Sequence, residues 1–184
     1  MRRSDILVAV AVEKGAAYVP PDFDTLITGM GKVSAATSVA LALAKYQPGN
    51  MPLVVNIGTC GSLHPHRAGL FTPSIVVNHD FNVGAPRKAA KRDSEDTLHI
   101  PDGDGSVLAT GDLFLYDPEV RDELAARADL VDMEGYAVAY ACAQLGARCR
   151  LVRHVADQAD DDAIEWPDRT DLSFRELGKW LAAL

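Results

Sequence analysis

The stretch at positions 131–160, VDMEGYAVAYACAQLGARCRLVRHVADQAD, decides the fold, because it contains a strand, a helix and a second strand in direct succession. An apolar run precedes residues 134–145, which favour a helix, and residues 149–156 return to an extended pattern. Gly146 can end the helix, since glycine adopts the left-handed conformation that other residues avoid. A strand, a helix and a strand in this order are typical of an α/β protein.

Two acids stand at the transitions of this stretch. Glu134 opens the helix, and Asp157 follows the second strand. In an open α/β sheet, ligands bind where strands end and helices begin. We therefore expect the two carboxylates to converge on one small molecule.

Apolar runs alternate with helix-forming segments along the rest of the chain. We predict strands at 6–12, 25–28, 53–57, 74–83, 97–100 and 107–110, and helices at 33–46, 117–128 and 172–184. The small residues at 58–62 would let a ligand approach the backbone. This alternation predicts one domain over residues 1–184, a three-layer α/β/α fold with a central, mostly parallel or mixed sheet.

Composition limits the possible partners. The chain has 184 residues, of which 48% are hydrophobic, and a net charge of −8, which argues against nonspecific binding to nucleic acid or to an anionic membrane. The basic run at 86–92 is offset by the acids that follow it and reads as a solvated loop. No stretch approaches the ~20 apolar residues that cross a bilayer.

The cysteines and the N-terminus indicate a cytoplasmic protein. The three cysteines are odd in number and form no CxxC pair, which fits reduced, buried thiols. Arginines before the apolar run 6–12 resemble a secretory signal, but Asp5 interrupts the pattern and no cleavage site follows.

We predict neither a metal nor a cofactor. His64 with His66, or His79 with Asp80, could begin a metal site, but a third ligand at motif spacing is missing. The two glycines in TGMGKV imitate a dinucleotide fingerprint without its third glycine, so we interpret them as a strand-to-helix turn.

Five motifs carry a resemblance to a known family. They are TGMGKV at 28–33, NIGTCG at 56–61, TGDLF at 110–114, MEGYA at 133–137 and RHVADQAD at 153–160. In this order they resemble the nucleoside phosphorylase and nucleosidase superfamily. The resemblance is closest to hydrolytic members such as 5'-methylthioadenosine/S-adenosylhomocysteine nucleosidase and futalosine hydrolase. It implies a purine nucleosidase that hydrolyses the N-glycosidic bond to free base and sugar.

The resemblance assigns the two acids. Asp157 would protonate N7 of the base, and Glu134 would hold the ribose hydroxyls. A helix N-terminus favours the ionised form of Glu134, and apolar surroundings would raise the pKa of Asp157. From the residues alone, Glu134 could equally cap a helix and Asp157 could be a turn acid.

The resemblance also implies a substrate pocket built from residues of several motifs. Met133 would pack by the ribose, Phe114 and the backbone of Leu115 would face the purine, Trp166 would cover the 5' side of the sugar, and Thr59 and Gly61 would lie beside the ligand. Packing in the core or anchoring of a loop would explain the apolar members of this set equally well.

Hydrolysis and phosphorolysis differ in the nucleophile, which is water in the first reaction and phosphate in the second. Asn56 stands where phosphorylases of the superfamily have an arginine, and Thr59 replaces a serine that contacts phosphate. A phosphate dianion would therefore lack its usual partners, which favours water.

One position departs from the hydrolytic members, which have a water-activating glutamate where this chain has Gly15. If the chain stays extended through Gly15, Glu13 faces the same side and could replace that glutamate. A phosphorylase, or a nucleoside-binding protein that has lost catalysis, remains an alternative. The resemblance further implies a homodimer or a larger homo-oligomer.

Overall fold

The computed structural model describes residues 2–81, 96–113, 115, 117–157 and 166–184, and of residues 166–169 it describes the backbone alone. Four predicted features therefore lie outside the described residues: the basic run at 86–92, Phe114, residues 158–165 of the acidic loop and the side chain of Trp166.

Nine strands of the described part of the chain form one sheet. They are β1 (Ile6–Val10), β2 (Asp24–Ile27), β3 (Leu53–Ser62), β4 (Leu70–Phe71), β5 (Ile75–Asn78), β6 (Thr97–His99), β7 (Val107–Thr110), β8 (Leu130–Asp132) and β9 (Arg148–Asp157). The order is β2-β1-β3-β8-β7-β5-β6, with β9 paired to β3 and β4 paired to β9. Three pairs, β3–β8, β5–β6 and β4–β9, are antiparallel and the others are parallel. The predicted mixed sheet is confirmed.

Helices cover both faces of this sheet. They are α1 (Glu13–Ala16), α2 (Lys32–Leu43), α3 (Pro118–Ala125), α4 (Gly135–Leu145) and α5 (Trp166–Ala182). Successive residues of β1 point to opposite faces: Val8 and Val10 pack with α5, whereas Ala9 packs with α2 and α4. The three-layer α/β/α prediction is confirmed.

Local signals set several helix ends as predicted. The Asp117 side chain accepts a hydrogen bond of 2.9 Å from the backbone N–H of Glu119 and so caps α3. Gly146 has φ of +72° and ends α4 in the left-handed conformation.

Several boundaries differ from the prediction: β1 ends at Val10 and β5 at Asn78, earlier than predicted, whereas β3 and α5 are longer. Strand β3 does not stop at Ile57 but runs through the glycine-containing segment to Ser62, since β9 offers it a parallel partner as far as Gly61. Helix α5 begins at Trp166, before the predicted start at 172. None of the helices in the described ranges is long and apolar enough to cross a membrane.

Candidate active site

A cavity of about 300 Å³ opens at the ends of β1, β3, β8 and β9. Its wall is formed by residues 10–12, 58–61 and 131–134, together with Met30, Leu113, Leu115, Asp157 and Phe174. This volume lies at the lower end of the range typical of small-molecule pockets. The mixed sheet creates the cavity, since these strand ends converge from distant parts of the chain.

Both predicted acids line this one cavity. Asp157 is the last residue of β9, is 7% exposed and lies opposite Gly61 of β3. Glu134 follows β8, and its Oε1 accepts a hydrogen bond of 2.8 Å from the backbone N–H of Gly31. The spatial requirement of the sequence-based hypothesis is therefore met, while the chemical roles of the two acids stay predictions.

Four other predicted contact residues lie on the same wall: Met133, Leu115, Thr59 and Gly61. Sequence reasoning missed the apolar lining provided by Met30, Leu113 and Phe174. Phe174 sits on α5 far along the chain, and an apolar residue on an amphipathic helix gives no signal that distinguishes a cavity wall from ordinary core.

The environment of Glu134 raises its pKa, so that its protonated and ionised forms are both populated near neutral pH. Burial raises the pKa of Glu134 to about 7, and the negative charge of Asp132 adds to this effect. The Gly31 N–H and the Arg153 guanidinium act in the opposite direction. Glu134 precedes α4 without capping it through its side chain. Burial therefore outweighs the effect of the helix N-terminus that the sequence suggested.

Asp132 of the cavity wall forms a buried ion pair with Arg153, which sequence reasoning missed. Asp132 and Arg153 are each 1% exposed at the side chain, and Arg153 Nη2 lies 2.7 Å from Asp132 Oδ2. Asp132 also accepts hydrogen bonds from the hydroxyl of Thr110 (2.5 Å) and the backbone N–H of Gly135 (2.8 Å). The sequence signal was Asp132 inside a short apolar strand and Arg153 directly after Leu151 and Val152, because buried charges need partners.

Arg153 also forms hydrogen bonds with Asn56. Arg153 donates to the backbone carbonyl of Asn56 at 2.9 Å and to its side-chain oxygen, while Asn56 Nδ2 donates to the carbonyl of Ala9 at 3.0 Å. Arg153 is therefore committed to internal hydrogen bonds. Within the described ranges, no lysine or arginine lines the cavity, so those residues offer no cation to a phosphate dianion.

The geometry proposed for Glu13 was wrong. The segment after β1 is not extended through Gly15 but forms the short helix α1, and Glu13 is exposed outside the cavity wall. Gly15 is buried, and a Cβ at this position would lie 2.6 Å from Phe174 Cε1. The aromatic ring thus fills the space where a side chain at position 15 would begin.

Cys60 lines the cavity without being a good nucleophile. Burial raises the pKa of the Cys60 thiol far above its ordinary value, because a thiolate would be desolvated there.

The fold and the cavity define an α/β protein with a small-molecule site at the convergent ends of its strands. A family model described as the phosphorylase superfamily matches residues 87–179. The chain is also 31% identical over 162 aligned residues to a 5'-methylthioadenosine/S-adenosylhomocysteine nucleosidase of Bacillus subtilis, covering 75% of this chain and 69% of that relative. The chain belongs to the phosphorylase superfamily, as the sequence motifs predicted.

Solved structures share the fold. A Helicobacter pylori MTAN mutant with 5'-methylthioadenosine in its active site superposes with a TM-score of 0.83 at 18% identity, covering 97% of this chain and 96% of that chain. The native futalosine hydrolase of Helicobacter pylori gives a TM-score of 0.81 at 20% identity, covering 96% and 95% respectively.

Proposed function

We propose that this chain is a purine nucleosidase, which hydrolyses the N-glycosidic bond of a purine nucleoside or a 5'-modified (thio)adenosine to free base and sugar. The observation that carries the proposal is that Glu134 and Asp157 line a single cavity. The names of its relatives supply the substrate class.

The mechanism follows from the charges that develop as the bond breaks. Positive charge builds on the ribose and negative charge on the departing base. Asp157 gives a proton to N7 of the base, which stabilises the leaving group, and this kind of catalysis contributes typically ~10²–10⁴-fold. Glu134 accepts hydrogen bonds from the ribose hydroxyls and holds the sugar beside Asp157.

Water is the proposed nucleophile, and no dedicated base activates it among the described lining residues. Position 15 has no side chain, Glu13 lies outside the cavity, and Asp132 is held by Arg153. Protonation of the departing base is therefore the main catalytic contribution that we propose; water bonds to C1' as the bond to the base breaks, and the proton of the water passes to solvent. The proposed roles of Phe114 and Trp166 are contact with the purine and cover over the 5' side of the sugar.

A panel of nucleosides tests the activity. Adenosine, inosine, 5'-methylthioadenosine and S-adenosylhomocysteine are incubated in phosphate-free buffer and in added phosphate, and base release is followed. Release without phosphate is expected. Release that requires phosphate and yields ribose 1-phosphate would identify a phosphorylase. Tight binding without any release would identify a nucleoside-binding protein, the alternative that Gly15 favours.

We also propose a cytoplasmic homo-oligomer in which a second copy covers the mouth of the cavity. Three apolar residues are strongly exposed in this region: Met30 (59%) and Leu113 (62%) line the cavity, and Val33 (78%) follows Met30 at the start of α2. Burial of such residues favours association. The odd number of cysteines, all free, fits a reducing compartment.

The oligomer is tested with one charge placed in the apolar region. Val33→Glu should lower the molecular mass measured by light scattering to that of a monomer, because an unpaired carboxylate would be buried in the interface. The matched control is Leu172→Glu, which alters a similarly exposed apolar residue on α5 and should leave the mass unchanged. An unchanged mass for Val33→Glu, or a monomeric wild-type protein, would contradict the proposal.

A further inference from the structure

Glu134 accepts a backbone hydrogen bond from a turn that is itself held in place by a lysine. Gly31 has φ of +83°, ends the turn before α2 and donates its N–H to Glu134 Oε1 at 2.8 Å. Gly31 and Glu134 are 103 residues apart in the chain. The position of the turn therefore determines whether Glu134 receives this hydrogen bond.

Two acids contact Lys32, the residue that follows Gly31, and we call Lys32, Asp80 and Asp112 the lysine clamp. The backbone N–H of Lys32 donates to Asp112 Oδ1 at 2.7 Å, and its ammonium contacts the Asp80 carboxylate. Asp80 Oδ2 in turn accepts from the backbone N–H of Asp112 at 2.7 Å. The contacts close a ring that joins the start of α2 to the ends of β5 and β7.

The lysine clamp has more hydrogen bonds and less exposure than a single surface ion pair. The Lys32 ammonium also donates to Asn78 Oδ1 at 2.9 Å, and its side chain is only 19% exposed. Burial opposes ionisation of Asp80, but the Lys32 ammonium and the Asp112 N–H outweigh it and lower the pKa of Asp80. Backbone donors and a shared ammonium fix the geometry better than one exposed pair does.

The lysine clamp also replaces the side-chain cap that α2 lacks. Gly31 is the residue at the N-cap of α2 and has no side chain to accept from the first turn, so Asp112 accepts from Lys32 instead. If the clamp had a purely structural role, it would only cap α2. The adjoining hydrogen bond from Gly31 to Glu134 connects the clamp to the cavity.

We propose that Lys32, Asp80 and Asp112 are positioning residues, which hold the Gly31 N–H against Glu134 and thereby orient the carboxylate that binds the sugar. The inference rests on the proposed function for the role of Glu134. The clamp itself touches no reacting atom.

Titration of Glu134 tests the connection without any turnover. The carboxyl carbon of Glu134 is followed by ¹³C NMR in full-length wild type, Asp80→Ala and Lys32→Met, and its signal is assigned with Glu134→Gln. Loss of the Gly31 N–H raises the pKa of Glu134, whereas removal of the Asp80 charge alone would lower it. Asp132, Arg153 and Asp112 also face Glu134 and are unchanged in both variants.

The direction in which Asp80→Ala changes the pKa of Glu134 distinguishes loss of the Gly31 hydrogen bond from loss of the Asp80 charge alone. The proposal requires the pKa of Glu134 to rise in both Asp80→Ala and Lys32→Met. A fall, or no change, in Asp80→Ala would overturn it. The matched control is Asp122→Ala, which removes the acidic partner of an exposed ion pair on α3 and should leave the pKa of Glu134 unchanged.

Kinetics with altered sugars provide a second readout. Lys32→Met should lower kcat/KM for the ribonucleoside by roughly 10-fold, the scale of one hydrogen bond to a charged group. The loss should be much smaller for the 2'- and 3'-deoxy analogues, which lack the hydroxyls that Glu134 would bind. Equal losses on all substrates would show a general structural role and overturn the proposal. A wild type that releases no base would instead reject the nucleosidase assignment, and the titration would still test the clamp.

Discussion

At the scale of single residues, two carboxylates of the same cavity differ in surroundings. Asp157 ends a strand and is almost fully buried, whereas Glu134 lies in a loop and accepts a backbone hydrogen bond. Different environments allow two acids to act in different protonation states. The assignment of proton donation to Asp157 and of sugar binding to Glu134 rests on the resemblance of their motifs, because burial raises the pKa of Glu134 and does not by itself select the donor.

Replacement of Asp157 tests the proposed proton donor. Asp157→Asn should reduce kcat for base release by roughly 10²–10⁴-fold, because the amide cannot supply the proton. Circular dichroism should show an unchanged fold, since the amide has nearly the same shape. Full turnover in the variant would contradict the assignment.

The raised pKa of Glu134 predicts a pH dependence of stability. The folded protein holds the Glu134 proton up to a pH of about 7, whereas the unfolded chain releases it near the ordinary value of 4.5. The folded state therefore binds more protons between these values, and this contribution to stability is lost as the pH rises from about 4.5 to 7.

Glu134→Gln removes this titration. Relative to wild type, the variant should gain on the order of 2 kcal/mol of unfolding free energy between pH 5 and pH 8, measured by urea denaturation. Glu123→Gln, at an exposed position on α3, is the control and should show no such gain. A difference between Glu134→Gln and wild type that does not change with pH would refute the prediction.

At the scale of secondary-structure elements, the contact between α1 and α5 shapes the cavity. Gly15 and Phe174 approach so closely that a Cβ at position 15 would lie 2.6 Å from the ring and 2.7 Å from Val10 Cγ2. Phe174 itself is 3% exposed and forms part of the cavity wall. The glycine and the phenylalanine are therefore one packing unit.

A double-mutant cycle tests this unit. Gly15→Ala should lower the unfolding free energy by about 1–3 kcal/mol through overpacking. Phe174→Leu should cost less in the Gly15→Ala background than in wild type, because the smaller side chain makes room for the new methyl group. If the changes in unfolding free energy caused by the two substitutions simply add, the two positions are independent.

At the scale of the whole molecule, the ion pair of Asp132 and Arg153 ties the sheet together. Arg153 of β9 contacts Asp132 of β8 and Asn56 of β3, and Asn56 contacts Ala9 of β1. Four strands are thus joined beside the cavity, whose wall includes Asp132. This network keeps the strand ends that carry Glu134 and Asp157 in one place.

Removal of one partner of the Asp132–Arg153 ion pair should lower the unfolding free energy more than removal of both. Arg153→Met should reduce the unfolding free energy by about 3–5 kcal/mol, because it leaves the Asp132 carboxylate buried without its partner. Adding Asp132→Leu to that variant should restore part of the loss, since no unpaired charge remains. Denaturant unfolding of the single and double variants measures both effects, and a double variant less stable than Arg153→Met would be inconsistent with this account.

The sequence predicted the order of the main elements because their signals are local. Apolar runs, the Asp117 cap and the Gly146 helix end act over a few residues, and all were found. The longer β3 was not predicted, because its last residues depend on pairing with β9. Helix α1 was missed since four residues give too short a pattern.

The sequence by itself therefore determined the alternating α/β architecture, the family and the two acids at element boundaries. Only the tertiary structure decided that these acids share one cavity, that Phe174 occupies the space beside Gly15, and that Lys32 supports the turn bound to Glu134. Such contacts join residues as far as 103 positions apart. Their geometry depends on how the strands are ordered and aligned in the sheet, which no local pattern of residues specifies.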